Sequence, residues 1–128
     1  MSNNGLSVLI VDDNQSILDV VKELLADLKK FKLIICSNNG SDALTKMSNQ
    51  EFGLVILDLS MPKLGGLEVL QAMNLKGLLK KTHVLISSGT LDGDKIKEAV
   101  ALGVKNIIVK PFTNDDLIAK IEGILKNS

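Results

Sequence analysis

Four places in the chain hold residue types able to act on a phosphoryl group. Asp12 and Asp13 stand side by side, and a third aspartate, Asp58, follows the apolar run 54–57. Ser87, Ser88 and Gly89 close another apolar run, and Lys110 with Pro111 closes the last one. Carboxylates brought together repel, and each favours the protonated form of its neighbours. A hard divalent cation such as Mg²⁺ relieves that conflict, because it takes carboxylate oxygens, keeps several waters and commonly serves phosphate. A lysine adds a point charge for phosphate oxygens, and a serine hydroxyl adds a short-range donor. A carboxylate can itself be the nucleophile and form an acyl phosphate. These parts together describe phosphoryl transfer, in which positioning and charge stabilisation do most of the catalysis.

Each residue also has an ordinary structural reading. Asp12 or Asp13 could cap a following helix. Asp58, ahead of Ser60, Met61 and Pro62, could be a turn residue. Ser88 could satisfy a turn, and Lys110 could be a solvated lysine before a proline. What separates the two readings is whether the elements bring all of them to one place.

Five apolar runs of strand length, 6–11, 31–36, 52–57, 83–87 and 105–109, are rich in Val, Ile and Leu almost throughout. That is the pattern of strands buried on both faces. Segments of helical period separate them. Ile17, Val20, Val21, Leu24, Leu25 and Leu28 predict one apolar helical face. Ala43, Leu44 and Met47 mark a second helix, Leu67, Leu70 and Met73 a third, and Ile96, Ala99, Val100 and Leu102 a fourth. Leu117, Ile118, Ile121, Ile124 and Leu125 mark a fifth, opened by a capping box between Thr113 and Asp116. Gly103 suits the end of the fourth helix. Strands alternating with helices predict an α/β fold with a parallel sheet covered on both faces and right-handed crossovers. Ligands in such folds bind beyond the carboxyl ends of the strands. All four chemical groups fall at those ends.

The remaining composition narrows the function. The 128 residues suit one domain, 1–128, with no output domain expected in this chain. The single cysteine, Cys36, lies in an apolar run and reads as a small buried hydrophobe. One cysteine makes no internal disulfide, which fits a reducing cytoplasm. Net charge is zero, all fifteen basic residues are scattered lysines, and Trp and Tyr are absent. A nucleic-acid surface needs a basic stripe or a stacking platform, so none is expected here. No segment approaches the roughly 20 apolar residues of a membrane span, and the first residues do not read as a signal peptide. The expected location is the cytoplasm. The lone histidine, His83, reads as an edge residue rather than a phosphodonor.

The stretches 8–14, 54–62 with Gly66 beyond, 84–89 and 109–112 resemble, in order and spacing, the receiver domain of two-component response regulators, including the chemotaxis regulators. The likeness covers essentially the whole chain. It implies a flavodoxin-like, doubly wound (βα)₅ three-layer sandwich with strand order 2-1-3-4-5. It also implies roles. Asp58 would accept the phosphoryl group from a sensor histidine kinase or phosphotransfer protein. Asp13 would bind Mg²⁺ directly, Asp12 mainly through water, and Asp58 and the backbone carbonyl of Ser60 would complete the set, with Mn²⁺ able to substitute. Lys110 would bridge to the acceptor and then to the phosphoryl group, and Ser88 would be the switch hydroxyl. The peptide bond before Pro111 would be cis. Ser60 and Thr90 lie near positions that tune hydrolysis. The output would be a surface change read by a downstream protein or an output domain, or a phosphorylation-dependent homodimer. The chain would not be an enzyme acting on other substrates.

Two departures stand out. Where the family often carries Tyr or Phe, this chain has Ile107, so ring rotation cannot report the switch. Ser87 beside Ser88 leaves two hydroxyls for one role. Two other classes share the architecture. A haloacid-dehalogenase-like phosphatase would need a second Asp two positions after its nucleophile, whereas Asp12 is followed by Asp13 and Asn14. A flavodoxin-like FMN carrier would want aromatic flanks, which are lacking.

Overall fold

Five strands and five helices alternate in the computed structural model, which describes residues 5–61, 64–89 and 92–126. They are β1 (Leu6–Val11), α1 (Gln15–Leu28), β2 (Phe31–Ser37), α2 (Gly40–Asn49), β3 (Leu54–Asp58), α3 (Gly66–Leu75), β4 (His83–Ser88), α4 (Gly93–Ala101), β5 (Asn106–Val109) and α5 (Asn114–Lys126), with a 3₁₀ turn at Leu78–Lys80. All strand pairs are parallel and the order is β2-β1-β3-β4-β5. The predicted doubly wound sheet is therefore present. Its order reverses at β1, whose neighbours are β2 and β3.

Alternation along the strands builds two cores. Leu9, Val11, Val55, Leu57, Val84 and Ile86 face one side and pack with Ala43 of α2, Val69, Leu70 and Met73 of α3, and Ala99 of α4. Val8, Ile10, Leu54, Ile56, Leu85 and Ile108 face the other and pack with Leu18, Val21 and Leu25 of α1 and Leu117, Ile121 and Ile124 of α5. Successive side chains of a strand point to opposite faces, so runs of Val, Leu and Ile feed both cores at once.

Several expected boundaries and faces shift. β3 starts at Leu54 rather than Phe52 and β5 at Asn106 rather than Lys105. β2, β3 and β4 each reach one residue further than predicted, to Ser37, Asp58 and Ser88. Asp58 and the two serines are thus the last residues of their strands, held by the ladder. Burial on both faces describes β1, β3 and β4. The edge strands β2 and β5 leave Leu33 and Val109 exposed. On α1 the buried residues are Leu18, Val21 and Leu25, and Val20 is 53% exposed, because the helix presents the 18–21–25 stripe to the sheet. Val100 of α4 is likewise exposed and Ala99 is buried. His83 opens β4, an interior strand, so it is not an edge residue.

The helix ends follow the predicted chemistry where a side chain specifies it. Asp116 N–H donates to Thr113 Oγ1 at 3.0 Å and Thr113 N–H to Asp116 Oδ2 at 3.1 Å, the reciprocal capping box. Gly103 follows α4 at φ 105°, where a side chain would be strained. Gly66, at the start of α3, has a different task. A Cβ there would lie 2.3 Å from the carbonyl oxygen of Asp58 and 2.7 Å from Leu59 Cα. The helix therefore packs directly on the backbone that carries Asp58. Gly66→Ala is expected to lower stability by about 1–3 kcal/mol, the usual cost of forcing atoms into a packed core; an unchanged urea midpoint would show that α3 does not rest on the end of β3.

Candidate functional site

The parallel register carries the chemical groups to one rim. Val11 pairs with Leu57, so Asp12 and Asp58 leave adjacent strands together. Asp58 in turn pairs with Ser87, and Ser88 with Val109. Lys110 N–H then donates to the Ser88 carbonyl at 2.7 Å, which anchors the start of the next segment. The peptide bond between Lys110 and Pro111 is cis.

At this rim one carboxylate oxygen from each of Asp12, Asp13 and Asp58 lies within 4.8 Å of the other two. Asp12 and Asp58 are only 3% and 2% exposed, while Asp13 faces solvent. Buried charges need partners, and Lys110 serves both. Its Nζ lies 3.1 Å from Asp12 Oδ2 and 3.2 Å from Asp58 Oδ2. The second oxygen of each aspartate accepts from the backbone two residues on. Asn14 N–H donates to Asp12 Oδ1 and Ser60 N–H to Asp58 Oδ1, each at 2.9 Å.

These contacts decide between the ordinary and the chemical readings. Neither Asp12 nor Asp13 caps α1. That task falls to Asn14, whose side chain accepts from Ser16 and Ile17 N–H. Asp58 does hold a turn through Oδ1, but its Oδ2 faces the lysine. Lys110 is an ion-pair partner and not a solvated residue. Ser87 and Ser88 are both buried, and the Ser88 hydroxyl has no hydrogen-bond partner. An unpaired buried hydroxyl is costly, and a bound water, an ion or a ligand can satisfy it. Ile107 is half-buried against the core on the α3 and α4 side of the sheet. Pro62 and Thr90 lie outside the described residues.

The electrostatics follow from burial and from Lys110, the one cation paired with these carboxylates among the described residues. Burial raises the pKa of Asp12, with the Asp58 charge adding to it, against the opposing Asn14 N–H and Lys110. Repulsion between carboxylates is thus present at Asp12 but secondary to the loss of water. Burial alone would lower the pKa of Lys110; the Asp12 hydrogen bond and the charges of Asp12 and Asp58 outweigh it and raise the pKa. The two directions agree physically, since one ammonium faces two carboxylates and is the better compensated partner.

One residue at the rim was not marked by the sequence. It is Asp92, just ahead of α4. Its Oδ2 accepts from the Ser60 hydroxyl and, at 2.9 Å, from Gly89 N–H, tying the end of β3 to the end of β4. These hydrogen bonds hold its carboxyl below the usual range, the Ser60 bond most of all.

A five-stranded parallel sheet with an acidic rim and a neighbouring lysine defines a class, and the family comparison agrees. Residues 8–122 match the model of the response regulator receiver domain, and the chain belongs to that family. It is 34% identical to the chemotaxis protein CheY of Pseudomonas aeruginosa, over 94% of this chain and 97% of that protein. It is 36% identical to a CpxR homologue of Haemophilus influenzae, described as a transcriptional regulatory protein, over 94% of this chain and 51% of that one. Among solved structures, CheY4 of Vibrio cholerae superposes with a TM-score of 0.82 at 29% identity, covering 92% of this chain and 97% of that one. The chain is thus a signalling receiver homologous to CheY. No helix among the described residues is long and apolar enough to cross a membrane.

Among the described residues, the three clustered carboxylates against one ammonium leave uncompensated negative charge at the rim. Removing the exposed member relieves it, so without divalent metal Asp13→Ala is expected to raise the melting temperature by a few degrees. Added Mg²⁺ is expected to stabilise the native chain, and the same variant is expected to lose most of that gain. Melts in EDTA and in Mg²⁺ check both halves; destabilisation in both conditions would refute the repulsive cluster.

Proposed function

We propose that this receiver works as a phosphoacceptor switch with Asp58 as the nucleophile. The observation that carries this reading is the state of the Asp58 carboxylate. One oxygen is pinned by Ser60 N–H and the other is turned to Lys110, at a buried strand end where two further carboxylates converge. Such a carboxylate is oriented before its reaction partner arrives, and fixing the geometry in advance lowers the barrier.

The donor is the phosphohistidine of a sensor kinase or phosphotransfer protein. Its N–P bond breaks as the Asp58 O–P bond forms, and the departing imidazole nitrogen keeps the electron pair and takes a proton. Asp12, Asp13, Asp58 and the carbonyl of Ser60 are the residues that would hold Mg²⁺, or Mn²⁺ in its place; three oxygens within 4.8 Å suit a hard cation. When bound, the ion offsets the charge of the acceptor and phosphoryl oxygens. Lys110 passes from the free carboxylate to the phosphoryl oxygens, and the unpartnered Ser88 hydroxyl turns to them. The result is a binding signal and not turnover of a separate substrate. It is read in the cytoplasm by a downstream protein, an output domain or a second copy. With Ile107 in β5, the reporting movement is not the rotation of an aromatic ring.

Acetyl phosphate with Mg²⁺ is expected to label the native chain, and Asp58→Asn is expected to reduce labelling to background. Labelling that survives Asp58→Asn and disappears in Asp12→Asn would move the nucleophile to Asp12 and revive the phosphatase reading.

A further inference from the structure

Asp92 stands at the N-cap of α4, yet its side chain makes no capping hydrogen bond. An aspartate in that position ordinarily spends its carboxylate on the free amides of the first turn. Here the carboxylate turns the other way. One oxygen takes both the Ser60 hydroxyl and Gly89 N–H. These two donors come from the segments that follow β3 and β4, the adjacent strands that end in Asp58 and Ser88. Ser60 is the residue whose own N–H pins Asp58, and Gly89 directly follows Ser88 with its unpartnered hydroxyl. Lys110 is also among the charges that act on Asp92. An anion seated on these donors occupies the places where the oxygens of a phosphoryl group on Asp58 would look for partners.

We propose that Asp92 is an internal anion that closes the site before phosphorylation and must leave when Asp58 is loaded. The proposal rests on Asp58 being the acceptor. A phosphoryl group and a carboxylate cannot share the Gly89 and Ser60 donors without like-charge repulsion. The group bonded to Asp58 is held covalently, so Asp92 is the one displaced. Once free, it has the unsatisfied first-turn amides of α4 to accept from, at the helix whose cap it already occupies. Loading of Asp58 thereby reaches the start of α4 through a carboxylate, which supplies a route that needs no aromatic ring at Ile107. Asp92 acts as a positioning residue: it sets how readily the site admits a phosphoryl group and how that event reaches α4.

Beryllofluoride with Mg²⁺ is a non-covalent stand-in for the phosphoryl group and can be titrated by ¹⁵N–¹H NMR. Asp92→Ala is expected to bind it about tenfold more tightly than the native chain, which corresponds to about 1.4 kcal/mol. Asp92→Asn, which keeps the shape and loses the charge, is expected to shift affinity in the same direction by less. The Gly89 amide resonance should differ between the free native chain and free Asp92→Ala, and coincide when both are saturated. Unchanged or weaker binding in both variants, with Asp58→Asn failing to bind, would overturn the role of Asp92 and leave the acceptor reading intact. Binding retained by Asp58→Asn would overturn the acceptor reading and this proposal with it.

Discussion

Two carboxylates leave water together at the ends of adjacent strands, and a single ammonium faces both. Asp12 and Asp58 are almost wholly buried, and Lys110 lies within ion-pair distance of each. An unpaired buried carboxylate would neutralise itself or destabilise the fold. Lys110 arrives only because β5 is registered against β4, with its N–H on the Ser88 carbonyl. The position of the last strand and the ionisation of the first and third are therefore one problem. The sheet order solves it by placing β1, β3, β4 and β5 side by side.

The remainder of the site inherits its precision from that arrangement. Each aspartate has one oxygen fixed by a backbone N–H two residues ahead and the other given to the lysine. Backbone donors of this kind do not rotate away, so the carboxylates are held at fixed angles on a rigid rim. Gly66 lets α3 sit against the peptide that carries Asp58, and Asn14 takes over the capping of α1. Asp12 and Asp13 are thereby left free for the cluster. Among the described residues the compensation is incomplete, since three carboxylates meet one lysine, a deficit that a bound cation would relieve.

A rim with surplus negative charge has a difficulty with an incoming anion, and the loops manage it. Ser88 keeps a buried hydroxyl unpartnered, a donor that the proposed switch would turn to the phosphoryl group. Asp92 does the reverse and occupies two donors in advance. The site thus contains both an open position and a filled one. A switch of this size needs two arrangements separated by only a few kcal/mol, and exchange of a carboxylate for a phosphoryl group on shared donors is a change of that kind.

Much of this was written in the order of residue types. Alternating apolar runs and helical stripes determined a parallel α/β sheet, because buried strands must feed two cores and helices must cover them. The strand-end positions of Asp12, Asp13, Asp58, Ser88 and Lys110 were legible for the same reason. What periodicity could not decide was which of several apolar residues faces inward. On α1, Leu18 took the place expected of Val20, because the angle at which a helix meets the sheet depends on the whole layer. Nor could it decide the partner of a single polar atom. Asn14 rather than Asp12 caps α1, and Asp92 turns from its own helix to Ser60 and Gly89, because such bonds depend on distances between segments far apart in the chain. The sequence by itself determined which groups could meet at the rim; only the tertiary structure decided how each oxygen is spent, since hydrogen bonds are settled in space over a few ångströms.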